Sequence, residues 1–120
     1  MTAEEHTLLG KIVISPIAIA TVASHAALQS YGVVGMAAKN VVDGLTNILT
    51  RDPRHGVDVT FQGEAAVINV YVIVEYGTRV SMVASSLANS VRFNVEKILG
   101  LTVQEVNVHV QGLRISSTDV

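Results

Sequence analysis

The groups in this chain that could do chemistry are four histidines, ten carboxylates, a run of serines and one glycine-punctuated stretch. A histidine acting as a general base or metal ligand needs a partner group at a set spacing. His6, His25, His55 and His109 form no H-x-x-x-H or H-E-x-x-H pair, so no two of them share a helical face. Asp43, Asp52, Asp58, Glu64, Glu75, Glu96 and Glu105 are scattered and read as solvated surface charge. The serines of SMVASSLANS lack the G-x-S-x-G elbow of a nucleophile and read as the polar face of a helix. With no cysteine in the chain, thiol nucleophiles, Cys-based zinc sites and disulfides are excluded. The expectation is no catalytic, cofactor-binding or metal residues, and no cofactor.

The glycine-punctuated stretch is SYGVVGMAAKNVVDGL, from Ser30 to Leu45. A phosphate-cradling loop of the Walker type ends in Gly-Lys-Ser/Thr, but here Lys39 follows alanine and precedes Asn40. A dinucleotide fingerprint needs G-x-G-x-x-G, and the spacing of Gly32, Gly35 and Gly44 does not fit it. The stretch reads as a structural corner, where glycine supplies a tight turn. Arg51, Arg54 and His55 make a small basic loop beside Asp52, read as soluble turn chemistry.

The composition bounds the class. A length of 120 residues suits one domain, and 49% apolar with 15% charged residues excludes disorder. A net charge of -2 gives no electrostatic reason to bind nucleic acid, and no basic cluster suits anionic lipid. The opening Met-Thr-Ala-Glu-Glu-His is acidic where a secretory signal starts positive, so no leader is expected. Residues 12–38 carry no Asp, Glu, Lys or Arg. The best apolar run within them, Ile17 to Ala23, is far shorter than the ~20 residues that span a bilayer, so it reads as a buried helix.

These groups must be positioned by a small set of elements. Lys11 to Ile14 reads as a strand. Ser15-Pro16 reads as an N-cap with proline at the first helical position, opening a helix to about Gln29. Val33 to Met36 forms a brief strand, and a short helix is expected from Val41 to Leu49. VDVTFQ alternates with Val57, Val59 and Phe61 inward. AVINVYVIVEY places Ile68, Val70, Val72, Val74 and Tyr76 on one face and pairs with VDVTFQ as a hairpin. A long helix from Arg79 to Leu99 carries the apolar stripe Val80, Val83, Ala84, Leu87, Val91, Val95 and Ile98, with Gly100 as its C-terminal cap. In the last strand Val106, Val108 and Val110 face the core, and the apolar phase changes at Gly112, as at a bulge or strand end. The fold class is α+β: one compact domain, a small mixed or antiparallel sheet with helices mainly on one face, in the order β-α-β-α-β-β-α-β. Residues 10–115 form the domain, with tails at 1–9 and 116–120.

Two surfaces stand out for binding. Met82 and Phe93 are eleven residues apart, close to three helical turns, and both point away from the apolar stripe of the long helix. An aligned pair of exposed apolar side chains marks a partner or self-association contact. The second surface is the other face of the central strand, with Val67, Tyr71 and Ile73. It is less polar than a freely solvated face, which points to partial cover and offers a place for a small molecule, a lipid or a partner.

The succession GKIVIS, a small-residue helix, YGVVGMAAKN, a short helix and turn, VYVIVEYGTRV and LTVQEVNVHVQGLRI resembles the alkaline shock protein family, the Gls-type envelope stress response family of mainly Gram-positive bacteria. The likeness runs from about Gly10 to Ile115, and the length is similar to that of small members without long charged tails. The resemblance implies a non-enzymatic stress-response or envelope-homeostasis protein that works through protein–protein contacts. It implies a cytoplasmic chain, peripheral at the inner face of the membrane through a membrane-anchored partner, with self-association in some relatives. The family has no catalytic residues to carry over.

Overall fold

The Ser15 hydroxyl accepts from the Ala18 backbone N–H at 3.3 Å, and Pro16 takes the first helical position, where its missing N–H costs nothing. That cap launches α1 (Pro16–Leu28), which buries Ile19, Ala20, Ala23, Ala26 and Ala27. The alanines let its backbone approach its neighbours closely. In this computed structural model residues 3–37 and 56–115 are described. Ahead of α1 stand β1 (Ala3–Thr7) and β2 (Gly10–Ile14); after it come β3 (Val33–Met36), β4 (Val57–Gln62), β5 (Ala65–Glu75), α2 (Val80–Leu99) and β6 (Val103–Arg114). The helix expected at Val41 to Leu49 and the basic loop at Arg51, Arg54 and His55 lie outside the described residues.

The fold is α+β, as the pattern predicts. Its sheet is mixed and centred on β5, where Val, Ile and Tyr alternate on a pleated backbone. β6 runs parallel along one edge of β5, and β4 and β3 lie antiparallel along the other, one after the other. The two meet at Tyr71. Its C=O accepts from the Ala37 N–H at 2.9 Å, and its N–H donates to the Gly56 C=O at 2.8 Å. α1 and α2 pack against each other, α1 over β3 and β4 and α2 over β6, so both cover the same face. On that face Ile68, Val70, Val72 and Val74 are sealed against Leu87, Val91 and Val95. Among the described residues no polar or charged residue is buried.

Other details follow the sequence pattern. Gly100 closes α2 in the left-handed conformation at φ 72°, its N–H donating to the Glu96 C=O. The register of β6 against β5 slips between Val110 and Gly112, so the phase change is a bulge and the strand continues to Arg114. Gly32, at φ +87°, turns the chain from α1 into β3 and has Val83 against it, so the opening glycine of the stretch is a packed corner.

Four expectations are corrected, the first being Val110, predicted on the core face of β6 but exposed near the end of that strand, beyond the reach of the helices. The pattern predicts a tail over residues 1–9, but Ala3–Thr7 is a strand that pairs in register with β2 across a turn at Leu8 and Leu9. Thr7 supplies the turn chemistry, its hydroxyl donating to the Gly10 C=O and accepting from the Leu9 N–H. β1 and β2 form a two-stranded sheet of their own and pack chiefly on each other. Val80 and Ile98 share the angular position of the core stripe yet are exposed. They sit at the two ends of a helix about 30 Å long, where angular position no longer guarantees a partner below. Tyr76, expected on the core face, lies in the turn after β5 and is exposed.

Candidate interaction surfaces

Met82 and Phe93 lie on the outer side of α2 and are 58% and 59% exposed. Eleven residues along a helix set them about 16 Å apart on nearly one line. The Lys97 Nζ stands 5.3 Å from the centre of the Phe93 ring, within cation–π range. The exposure agrees with the angular reading. Below them, α2 is held to the start of β6 by a clamp. Arg92 donates to the Val103 C=O at 2.6 Å and the Gln104 C=O at 3.2 Å, while the Glu96 carboxylate accepts from the Val103 N–H at 3.0 Å. These bonds tie the C-terminal half of the helix, which carries Phe93, to the sheet.

The second face of the sheet is more closed than a ligand platform. Val67 and Tyr71 are only 7% and 8% exposed, and Ile73 is half-buried. The Tyr71 ring stacks on His109 across the β5–β6 pair, with ring centres 4.4 Å apart and planes 11° from parallel. His109 Nε2 donates to Asn69 Oδ1 at 3.1 Å, and Asn107 Nδ2 donates to Glu105 Oε2 at 3.0 Å. Asp58, Asn69 and Asn107 fall in one cross-strand row beside them. At the far end of the sheet Arg114 bridges to Glu75 at 3.1 Å. Sequence spacing placed His109 on the polar parity of its strand but could not reveal the stack, because that depends on the register of two strands distant in the chain.

A third surface escaped the sequence reading. Where the β1–β2 arm meets the body there is a groove of about 710 Å³, lined by residues of the arm, the β4–β5 turn and the end of α2. The signal was present in EEHTLLGKIVI, two short runs separated by a turn, but the turn is Leu-Leu rather than the Asn-Gly or Asp-Gly that announces a hairpin.

For chemistry the arrangement offers little convergence. His6 lies in β1, His25 is exposed on α1, and His109 is committed to its stack. Among the described residues no group of three His, Cys, Asp or Glu is placed to hold a metal ion. Among the same residues no helix is long and apolar enough to cross a membrane.

Comparison with known proteins gives the class. The chain is 44% identical over 119 residues to the uncharacterized protein YloU of Bacillus subtilis, covering 98% of this chain and 99% of that protein. It is 36% identical over 117 residues to the uncharacterized protein Spy1614 of Streptococcus pyogenes, covering 96% and 97%. The uncharacterized Bacillus subtilis protein YqhY is 27% identical over 113 residues, covering 94% and 84%. No solved structure gives a significant match. A family model with a cell envelope-related function matches residues 4–115. That span takes in both helices and all but the first residue of the strands described above, as well as the motifs that carry the resemblance, and the chain belongs to the alkaline shock protein 23 family.

Proposed function

We propose that this protein serves the cell envelope as a non-enzymatic contact module, with the outer face of α2 as its contact surface for a membrane-anchored protein partner. The observation that carries this reading is the pair Met82 and Phe93, aligned and more than half exposed on a helix whose opposite face is sealed into the core. Aromatic and methionine side chains are enriched at the centres of protein interfaces. The Arg92–Glu96 clamp ties the part of α2 that carries Phe93 to β6, which lowers the ordering cost of binding there. Recruitment through a partner fits the helices among the described residues, none of which is long and apolar enough to span a bilayer.

The competing reading, a small-molecule or lipid module on the second sheet face, is less favoured. Val67 and Tyr71 have little side-chain surface left to offer, and Tyr71 is already stacked on His109.

The test is a Met82→Asp/Phe93→Asp double substitution. Because both side chains are exposed, stability is expected to change by no more than about 0.5 kcal/mol per site, read by thermal unfolding. Membrane-fraction recovery from cells is expected to fall at least ~10-fold, the loss of one well-buried interface anchor. A folded double variant that stays with the membrane as the wild type does would sink the reading. Direct binding of the purified protein to protein-free lipid vesicles would argue against a partner.

A further inference from the structure

The groove beside the β1–β2 arm meets the two strands differently. β2 contributes Ile12 and Ile14, which alternate and so belong to one face of the arm. β1 contributes Glu4, Glu5 and His6, three residues in succession. Successive side chains of a strand point to opposite faces, so a groove that touches all three runs along the edge of β1 rather than over one face. Among the described residues that edge is unpaired, because β1 pairs only with β2. Its backbone N–H and C=O groups are a template for another strand.

The lining indicates what that strand would carry. The far wall of the groove includes Phe61 and Leu101, which offer apolar surface, with Glu64 beside them. The groove holds three glutamates and no lysine or arginine, and the carbonyl end of α2 at Gly100 adds negative potential. Its one other titratable group, His6, lies 3.8 Å from Glu4 and adds positive charge only when protonated. This charge disfavours a second β1, because antiparallel pairing of two copies about Glu5 sets carboxylate against carboxylate. It favours lysine or arginine at the positions opposite Glu4 and Glu5. A lone two-stranded sheet is also marginal in water, and a third strand stabilises it.

We infer that the free edge of β1 takes up an extended, basic segment of a partner protein as a third strand. The segment's apolar side chains lie against Ile12, Phe61 and Leu101, and its lysines or arginines lie beside the glutamates. Met82 and Phe93 are not part of this groove, so the site is separate from the outer face of α2 and neither reading depends on the other.

The probe is a capped peptide of alternating lysine and valine, as long as β1, added to the full-length chain. Binding is expected to slow amide hydrogen exchange in β1 at least ~10-fold. The same peptide methylated on its backbone nitrogens keeps its charge and side chains but lacks ladder donors, and is expected to bind about 10-fold more weakly. Glu4→Gln/Glu5→Gln/Glu64→Gln changes three exposed side chains and is expected to weaken binding of the unmethylated peptide about 10-fold. Circular dichroism checks that this variant is folded. Equal binding of the methylated peptide would mean charge attraction without strand addition. Equal binding by the glutamine variant would mean that the groove does not read charge. Either result overturns the proposal, as does no binding at millimolar peptide. A free chain that sediments as a dimer, with β1 amides already protected and the peptide excluded, would give the edge to a second copy and overturns it as well.

Discussion

Leu87→Ala is expected to lower the unfolding free energy by about 3–5 kcal/mol, the largest loss from any single side chain of α2. Leu87 is fully buried at the middle of the helix, in the cluster that contains Ile68, Val70, Val91 and Val95. Truncation removes three buried carbons and leaves a cavity. Its walls are β5, bonded on both edges, and α2, clamped to β6 by Arg92 and Glu96, so neither can collapse inward. For a domain of this size that loss corresponds to roughly 10–20 °C in midpoint temperature. Ile98→Ala is the control. It removes a branched aliphatic from the same angular stripe, but at an exposed position, and is expected to cost no more than about 0.5 kcal/mol. Equal losses at the two sites by chemical denaturation would contradict the burial that separates them.

Gly32→Ala is expected to cost about 2–5 kcal/mol through two separable effects. At φ +87° an added Cβ strains the backbone by roughly 1–2 kcal/mol. The same Cβ would stand 2.7 Å from Val83 Cγ2, and relieving such overpacking costs about 1–3 kcal/mol. The corner cannot easily swing away, because the Gly32 C=O accepts from the Glu75 N–H at 2.8 Å. Combining Gly32→Ala with Val83→Ala separates the two effects. The steric part is relieved and the dihedral part is not, so the double variant should be more stable than the sum of the single losses by about 1–3 kcal/mol. Additive losses would show that the backbone conformation alone makes glycine necessary there.

The sequence pattern revealed those features whose causes are local. Ser15-Pro16 and Gly100 mark their helix ends through capping chemistry confined to a few residues. The two-residue alternation of Val57, Val59 and Phe61, and of Ile68, Val70, Val72 and Val74, assigns the core face without knowledge of the partner strands. What it missed depends on assembly. The arm has no hairpin signature because its turn is made by Thr7 and two leucines, not by a residue with strong turn preference. Helical angle put Val80 and Ile98 in the core, but angle says nothing about how far the layer below extends. The Tyr71–His109 stack required the parallel register of β5 and β6. At the candidate contact face the exposure of Met82 and Phe93 was legible from the helical period. The chemistry of their partner was not, because half of any interface is written in another chain.

The parallel pairing of β5 with β6 also has a consequence in time. A parallel neighbour cannot arrive through a tight turn; it must wait for the whole α2 crossover. β6 follows β5 only after α2, so one edge of β5 stays open until β6 itself has left the ribosome. At synthesis rates of about 5–20 residues per second, the stretch from the end of β5 to the end of β6 takes seconds to emerge. During that interval the central strand of the sheet presents unpaired amides to its surroundings. A chain that stalls or is cleaved before Val103 keeps that edge open for good, so its fragments are fated to aggregate or to be captured by chaperones.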